Sequence, residues 1–170
     1  MATKTARRTE QDLLAVYLND HLAGATVGLE LVRRMAASAE PGSETATVVK
    51  PLVSEITADR SALVKMMAAV GVKIRGYKVL AAWAGEKAGR LKLNRHVLSR
   101  SPLSALEETE MLRLGVEGKA AGWRTLQVVA QRDHRLDAGQ LDELLARAAR
   151  QSDTLESLRV SIAEQVLGDR

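Results

Sequence analysis

The sequence predicts an all-α protein, folded as an antiparallel four-helix bundle, and three observations favour that class. Apolar residues recur at three- and four-residue steps through four long segments, which is the spacing of amphipathic helices. The 170 residues include no phenylalanine, two tryptophans and two tyrosines, so Leu, Val, Ile, Met and Ala must build the core. β-Branched and aromatic residues, which favour strands, dominate no segment, and no alternating stretch is long enough for a strand.

The first helix is predicted from about Thr9 to Ser38. Thr9 and Asp12 resemble a capping box, in which side chains bind the free backbone N–H groups of the first turn. The apolar stripe that follows consists of Leu14, Leu18, Ala25, Leu29, Val32 and Met35, and His21 lies within it. Residues 40–43, Glu-Pro-Gly-Ser, end the helix because proline and glycine are poor helix formers.

The second helix is predicted to begin near residues 48–51, with Pro51 in the first turn, where its missing N–H would have no helical partner. Asp59 interrupts its apolar stripe, and Gly71 follows as the C-terminal stop.

The third and fourth helices have clear predicted starts. Ser101 is a good N-cap and Pro102 suits the first helical position of a helix that continues to about Arg132. The fourth helix opens at Asp137 and ends before Gly168.

Residues 72–100 separate the second and third helices and are too numerous for a simple turn. Their apolar residues also recur at helical spacing, which predicts a long helical crossover between two antiparallel hairpins. Residues 73–100 hold eight Lys or Arg and one Glu, a net charge of +7 in a chain of net charge +4. We therefore expect a basic surface here, with the candidate residues Arg75, Lys78, Lys87, Arg90 and Lys92.

Two hairpins of long helices joined by a long crossover resemble the ferritin-like superfamily, and the resemblance covers nearly the whole chain. Its metal-binding members carry a pair of Glu-x-x-His motifs and two further Glu residues. In this chain leucine or glutamine stands in the place of that first Glu before each histidine, His21, His96 and His134. The resemblance therefore implies the ferritin-like scaffold, without its cofactor or metal motif.

The length predicts one domain, residues 1–170, with residues 1–8 as a flexible basic tail that lacks the apolar run of a secretory signal. The chain has no cysteine, which excludes disulfides, thiolate metal sites and cysteine catalysis. Because no apolar run is long enough to span a bilayer, we expect a cytoplasmic protein.

Polar or ionisable residues interrupt the predicted apolar stripes near the middle of each helix. A rise of about 1.5 Å per residue brings polar side chains from all four helices to a similar height. We expect His21 to donate a hydrogen bond to Asp59, with residues of the other two helices completing the network. The candidates for this buried polar cluster are His21, Asp59, Glu117, Ser152 and Glu156.

Two interpretations of this cluster are open, since a buried charge is stable only when it is paired and hydrogen-bonded. In the first, the network sets the register of the helices, or some of its members face solvent at the rim of the bundle. In the second, one histidine and several acids hold a divalent metal ion or a small ligand.

Repeated glycines within helices also need an explanation, because each costs about 1 kcal/mol relative to alanine. Gly24 and Gly28 lie one turn apart in the first helix, and Gly115, Gly118 and Gly122 share a face of the third. Their spacing indicates tight helix packing within the bundle, or the close approach of another backbone across a dimer.

No nucleophile–base pair, cofactor motif or redox motif is present. We therefore expect a non-enzymatic protein that acts through protein interaction, as a homo-oligomer or with another protein partner. One alternative is a divergent ferritin-like metal-binding protein. A second is binding of nucleic acid or an anionic surface through residues 73–100, although no sequence-specific nucleic-acid motif is present.

Overall fold

In a computed structural model of the chain, the backbone is described for residues 2–75 and 102–168, and the side chains for residues 9–75 and 103–168. These ranges form four helices and no strand: α1 (Ala2–Ser38), α2 (Glu44–Ala69), α3 (Pro102–Ala130) and α4 (Ala138–Leu167). The all-α prediction is therefore confirmed. No helix in the described ranges is long and apolar enough to cross a membrane.

Each helix packs against two others in a bundle. α1 and α4 both contact α2 and α3, whereas the described parts of α1 and α4, and of α2 and α3, keep their Cα atoms more than 8 Å apart. The last two pairs therefore lie on the diagonals of the bundle. The end of α3 contacts the start of α4, where Gln127 is bonded to Asp142. Arg113, earlier in α3, pairs with Glu156, later in α4.

Two clusters of buried apolar side chains fill the bundle. One includes Val32, Val49, Leu112 and Leu155, and the other includes Leu22, Met67, Trp123 and Leu126. Along α2, Asp59 lies between Ile56 of the first cluster and Leu63 of the second. A charged residue therefore stands where the two apolar clusters meet.

The predicted start of the second helix is wrong. Ser43 is the N-cap, because its Oγ accepts a hydrogen bond from the Ala46 N–H at 3.1 Å. α2 therefore begins at Glu44, and Pro51 lies inside the helix rather than in its first turn. Pro51 is exposed, so water can bind the helical carbonyl that its missing N–H leaves without a partner.

The other helix starts agree with the sequence more closely. α3 begins at the predicted Pro102, while its predicted cap, Ser101, lies outside the described residues. Asp137 caps α4 as predicted, accepting a hydrogen bond from the Gln140 N–H at 3.2 Å. α1 begins at Ala2 rather than at the predicted Thr9 and therefore includes residues 2–8 of the predicted tail.

Most of the predicted basic crossover lies outside the described residues, including Lys78, Lys87, Arg90 and Lys92. Arg75 is described and exposed, and its backbone N–H donates to Oδ1 of Asn19 at 2.7 Å. Asn19 is buried on α1 and also donates to the carbonyl of Lys73 at 3.2 Å. The chain that leaves α2 is thus held against α1.

Candidate functional site

A carboxylate and an ammonium group meet inside the bundle. Asp59 of α2 is 1% exposed, and Nζ of Lys119 on α3 donates to its Oδ2 at 2.5 Å. Lys119 also donates to Oε1 of Gln151, a buried residue of α4. Nε2 of Gln151 donates in turn to the same Asp59 oxygen at 3.3 Å. Side chains from α3 and α4 therefore converge on the carboxylate of α2.

Two further charged residues complete what we call the Asp59 network. Nε2 of Gln151 donates to Oε2 of Glu55 at 2.8 Å. Arg147 approaches Oδ1 of Asp59 at 3.2 Å, without the alignment of a hydrogen bond. The network thus consists of Glu55, Asp59, Lys119, Arg147 and Gln151. Its two carboxylates and two cations balance in charge, which offsets the desolvation that each buried charge costs.

Burial has the largest effect on the ionisation of Lys119. It lowers the pKa of the Lys119 ammonium group, and the nearby carboxylate of Asp59 opposes that change. A lysine ammonium has three hydrogens to donate. Asp59 and Gln151 accept two of them, so the third is available to another acceptor.

The expected hydrogen bond between His21 and Asp59 is absent from the described residues. Asp59 is bound by Lys119, Gln151 and Arg147 instead. His21 is half-buried, and it lines the same cavity as Asp59 without bonding to it.

The other members of the predicted cluster lie apart from Asp59. Ser152 is buried and donates from Oγ to Oε1 of Glu117 at 2.5 Å, but Glu117 itself is exposed. Glu156 pairs with Arg159 at 2.7 Å and with Arg113 at 3.2 Å. The Ser152–Glu117 and Arg113–Glu156 contacts join α3 and α4, and the Glu156–Arg159 pair lies within α4. None of them completes a network around His21.

The prediction missed Lys119 and Gln151, although the sequence contains a signal for both. In α3 the predicted core stripe carries Glu117. The buried apolar residues lie on the neighbouring stripe and are Leu112, Val116, Trp123 and Leu126. Lys119 falls on that buried stripe at helical spacing. Gln151 likewise falls on the buried stripe of α4, with Leu144, Ala148, Leu155 and Leu158. A polar residue in the most apolar stripe of a helix is the useful signal.

A cavity of about 530 Å³ lies beside the Asp59 network and is lined by residues of α1, α2 and α3. Its apolar lining includes Leu18, Ile56, Leu63 and Val116, and Asp59 and Lys119 also line it. Small-molecule sites in proteins are concave, mostly apolar and about 300–1,000 Å³ in volume, with a few polar groups. This cavity has the size and composition of such a site.

Glycines from α1 and α3 keep the cavity open. A Cβ atom added to Gly24, Gly28, Gly115 or Gly118 would meet no other atom within 4 Å. All four glycines line the cavity. The prediction of tight helix packing at these four glycines is therefore wrong, because their missing side chains leave open space.

Gly122 differs from the other four glycines, since it is in contact with His21. A Cβ atom at Gly122 would lie 2.9 Å from Nδ1 of the His21 imidazole. The same imidazole packs against Tyr17, with 4.4 Å between the ring centroids. Burial lowers the pKa of His21, while the carboxylate of Asp20 opposes that change. The imidazole is therefore mainly neutral at about pH 7, with one donor and one acceptor nitrogen.

Side-chain links join α1 and α3 on either side of this glycine-bearing stretch. At one end, Oη of Tyr17 donates to Oγ1 of Thr125 at 2.9 Å. At the other end, Arg34 pairs with Glu108 at 3.3 Å. Both glycines of α1 lie between Tyr17 and Arg34, so these links hold α1 and α3 together on either side of the two glycines.

Several hydrogen-bond donors at the cavity are not fully used within the described residues. Trp123 lines the cavity and is 2% exposed, and its indole N–H has no acceptor there. Arg60 donates from Nε to Oγ1 of Thr26 at 3.0 Å, while its two terminal nitrogens bind no described side chain. The terminal nitrogens of Arg60 and the third hydrogen of Lys119 can bind the acceptor atoms of a ligand, whereas protein atoms enclose the indole nitrogen of Trp123.

The described residues contain no group of three or more His, Asp or Glu placed to hold a metal ion. Comparisons with family models, curated proteins and solved structures found no match to the chain. A functional proposal therefore depends on the geometry of the cavity and the Asp59 network.

Proposed function

We propose that this protein is a ferritin-like helical bundle that binds a small organic molecule in the cavity between α1 and α3. The open space at Gly24, Gly28, Gly115 and Gly118 is the observation that carries the proposal. Each helical glycine costs about 1 kcal/mol relative to alanine. Since an alanine Cβ would meet no atom at any of the four positions, packing does not require glycine there. Space for a ligand accounts for the presence of glycine at all four positions.

The lining suggests how such a ligand binds. An apolar body would pack against side chains such as Leu18, Ile56 and Val116 and remove their surface from water. A polar end would accept hydrogen bonds from Lys119 or Arg60 and fix the orientation of the ligand. The Asp59 network holds Lys119 in place before the ligand arrives, which reduces the entropy lost on binding.

Fluorescence of Trp123 offers a direct test with decanol as the probe. Trp83→Phe leaves Trp123 as the single tryptophan, and Trp123 lines the cavity. We expect saturable binding of decanol, seen as a change in Trp123 emission and as heat in isothermal titration calorimetry. Gly118→Leu, which fills the cavity, should abolish both responses.

A matched control adds the same side chain elsewhere. Ala149→Leu places a leucine at an exposed position of α4, outside the cavity, and should bind decanol as the parent protein does. Equal binding of decanol by the Gly118→Leu variant would show that the cavity is not the binding site.

Self-association is a second proposed function, and exposed apolar residues of α3 favour it. Met111 and Leu114 are 40% and 62% exposed and neighbour the cavity glycine Gly115. A second copy of the chain would remove this apolar surface from water. Sedimentation of Leu114→Glu tests this function, because the variant should weaken an oligomer. Leu167→Glu, at a position 64% exposed near the end of α4, should not.

A further inference from the structure

We propose that the ligand is an amphipathic monocarboxylate whose carboxylate binds Arg60 and the free hydrogen of Lys119. This inference rests on the proposed function and adds the chemical class of the ligand. Both side chains line the cavity, Arg60 from α2 and Lys119 from α3. The apolar lining between α1 and α3 is the surface for the rest of the molecule.

Charge balance is the first argument for an anionic group. Within the Asp59 network, the carboxylates of Glu55 and Asp59 are matched by the cations of Lys119 and Arg147. Arg60 lines the cavity outside this balanced set, and no described carboxylate pairs with it. A half-buried guanidinium without an anionic partner favours an anion from outside the chain.

The orientation of Arg60 is the second argument. Its Nε is fixed by Thr26 at 3.0 Å, which leaves the two terminal nitrogens for a ligand. A guanidinium can bind the two oxygens of a carboxylate through parallel, charge-assisted hydrogen bonds. The third hydrogen of the Lys119 ammonium is an additional donor at the cavity.

The acidic residues at the cavity are compatible with this assignment. Asp20 and Asp59 are its only carboxylate-bearing lining residues within the described ranges. Asp59 is neutralised by Lys119 and Arg147, whereas Asp20 is exposed, so water and salt screen its charge.

The size and lining of the cavity exclude a small anion as the complete ligand. A volume of about 530 Å³ with mostly apolar walls requires an apolar body to fill it and displace water. A medium-chain alkyl carboxylate has both parts. Decanoate is therefore the probe. Decanol, which has a similar chain without the charge, and butanoate, which has the charge with a shorter chain, are the comparisons.

Calorimetric titrations of the full chain at about pH 7 compare these three probes. We expect decanoate to bind about tenfold more tightly than decanol, as added charge-assisted hydrogen bonds imply, and butanoate to bind more weakly than either. Arg60→Gln should lower the affinity for decanoate about tenfold and leave that for decanol within about twofold. Arg124→Gln, an exposed arginine of α3 outside the cavity, should change neither affinity.

Two results would overturn the inference while leaving the proposed function intact. One is that decanol binds as tightly as decanoate. The other is that Arg60→Gln lowers the affinities for decanol and decanoate equally. Failure of both ten-carbon probes to bind would overturn the proposed function as well. Arg60→Lys keeps the charge but loses the planar guanidinium that binds two carboxylate oxygens. Its affinity for decanoate should therefore lie between those of the parent protein and Arg60→Gln. It also provides the test should Arg60→Gln fail to fold.

Discussion

Lys119 and Asp59 form a hydrogen-bonded ion pair of 2.5 Å across a diagonal of the bundle. Their helices, α3 and α2, are not neighbours, because the described Cα atoms of these helices stay more than 8 Å apart. The long lysine side chain spans that gap and reaches Gln151 of α4 as well. One ammonium group therefore connects three helices while also lining the cavity.

Replacing Lys119 with methionine should destabilise the protein by about 3 kcal/mol. Methionine keeps much of the length of lysine but leaves Asp59, which is 1% exposed, without its closest cation. Arg147 lies 3.2 Å away and is not aligned for a hydrogen bond, so it cannot replace Lys119 fully. Urea denaturation at about pH 7 measures the loss. Lys65→Met, at an exposed position of α2, should stay within about 0.5 kcal/mol of the parent protein.

A double-mutant cycle tests whether the pair itself causes this loss. Asp59→Asn removes the charge that Lys119→Met leaves unpaired, so the double variant should lose less stability than the two single variants combined. If the stability lost by the double variant equals the sum of the two single losses within about 0.5 kcal/mol, the two residues are not coupled.

Acidification should destabilise the protein through His21. Burial holds the native pKa of His21 below its ordinary value of 6.5. As the pH falls through 6.5, the unfolded chain therefore takes up its proton before the folded chain does. The stability present above pH 6.5 is lost as the pH falls towards the lowered native pKa.

The measurement compares free energies of unfolding at about pH 7 and about pH 5. His21→Gln should lose less stability over this interval than the parent protein. His134→Gln, at an exposed position between α3 and α4, should lose as much as the parent. An equal loss in the parent and His21→Gln would contradict the prediction.

The N-cap of α2 offers a test of the corrected helix boundary. Ser43→Ala should cost about 1 kcal/mol, because Oγ of Ser43 accepts the Ala46 N–H at 3.1 Å. Ser61→Ala, an exposed serine in the middle of α2, should cost less or stabilise the helix, since alanine has the higher helix propensity. Denaturant titration of both variants distinguishes a helix that starts at Glu44 from one that starts near Pro51.

Helical periodicity predicted the four helices from the sequence, but it did not identify the partner of Asp59. The repeat of 3.6 residues defines a helix well, while adjacent stripes on its surface differ by a small rotation. In α3 periodicity favours the stripe that contains Glu117, whereas the stripe that contains Lys119 faces the core. The exposure of Glu117 and the partial burial of Lys119 follow from that rotation.

The cavity could not be predicted from the sequence for a different reason. A helical glycine permits either a close contact or an empty space, and the distance to the neighbouring helix decides between them. α3 contains both cases within one turn. Gly118 faces open space, whereas Gly122 faces the His21 imidazole.

Alanine substitutions at these two glycines should therefore change stability in opposite directions. Gly118→Ala should stabilise the protein by up to about 1 kcal/mol, because alanine favours the helix and its Cβ meets no atom within 4 Å. Gly122→Ala should destabilise it, since the new Cβ would lie 2.9 Å from Nδ1 of His21 and force the imidazole to move. Thermal unfolding of both variants gives the comparison, and adding His21→Ala to Gly122→Ala should recover part of the loss. Equal destabilisation by both alanines would show that Gly118 does not face open space.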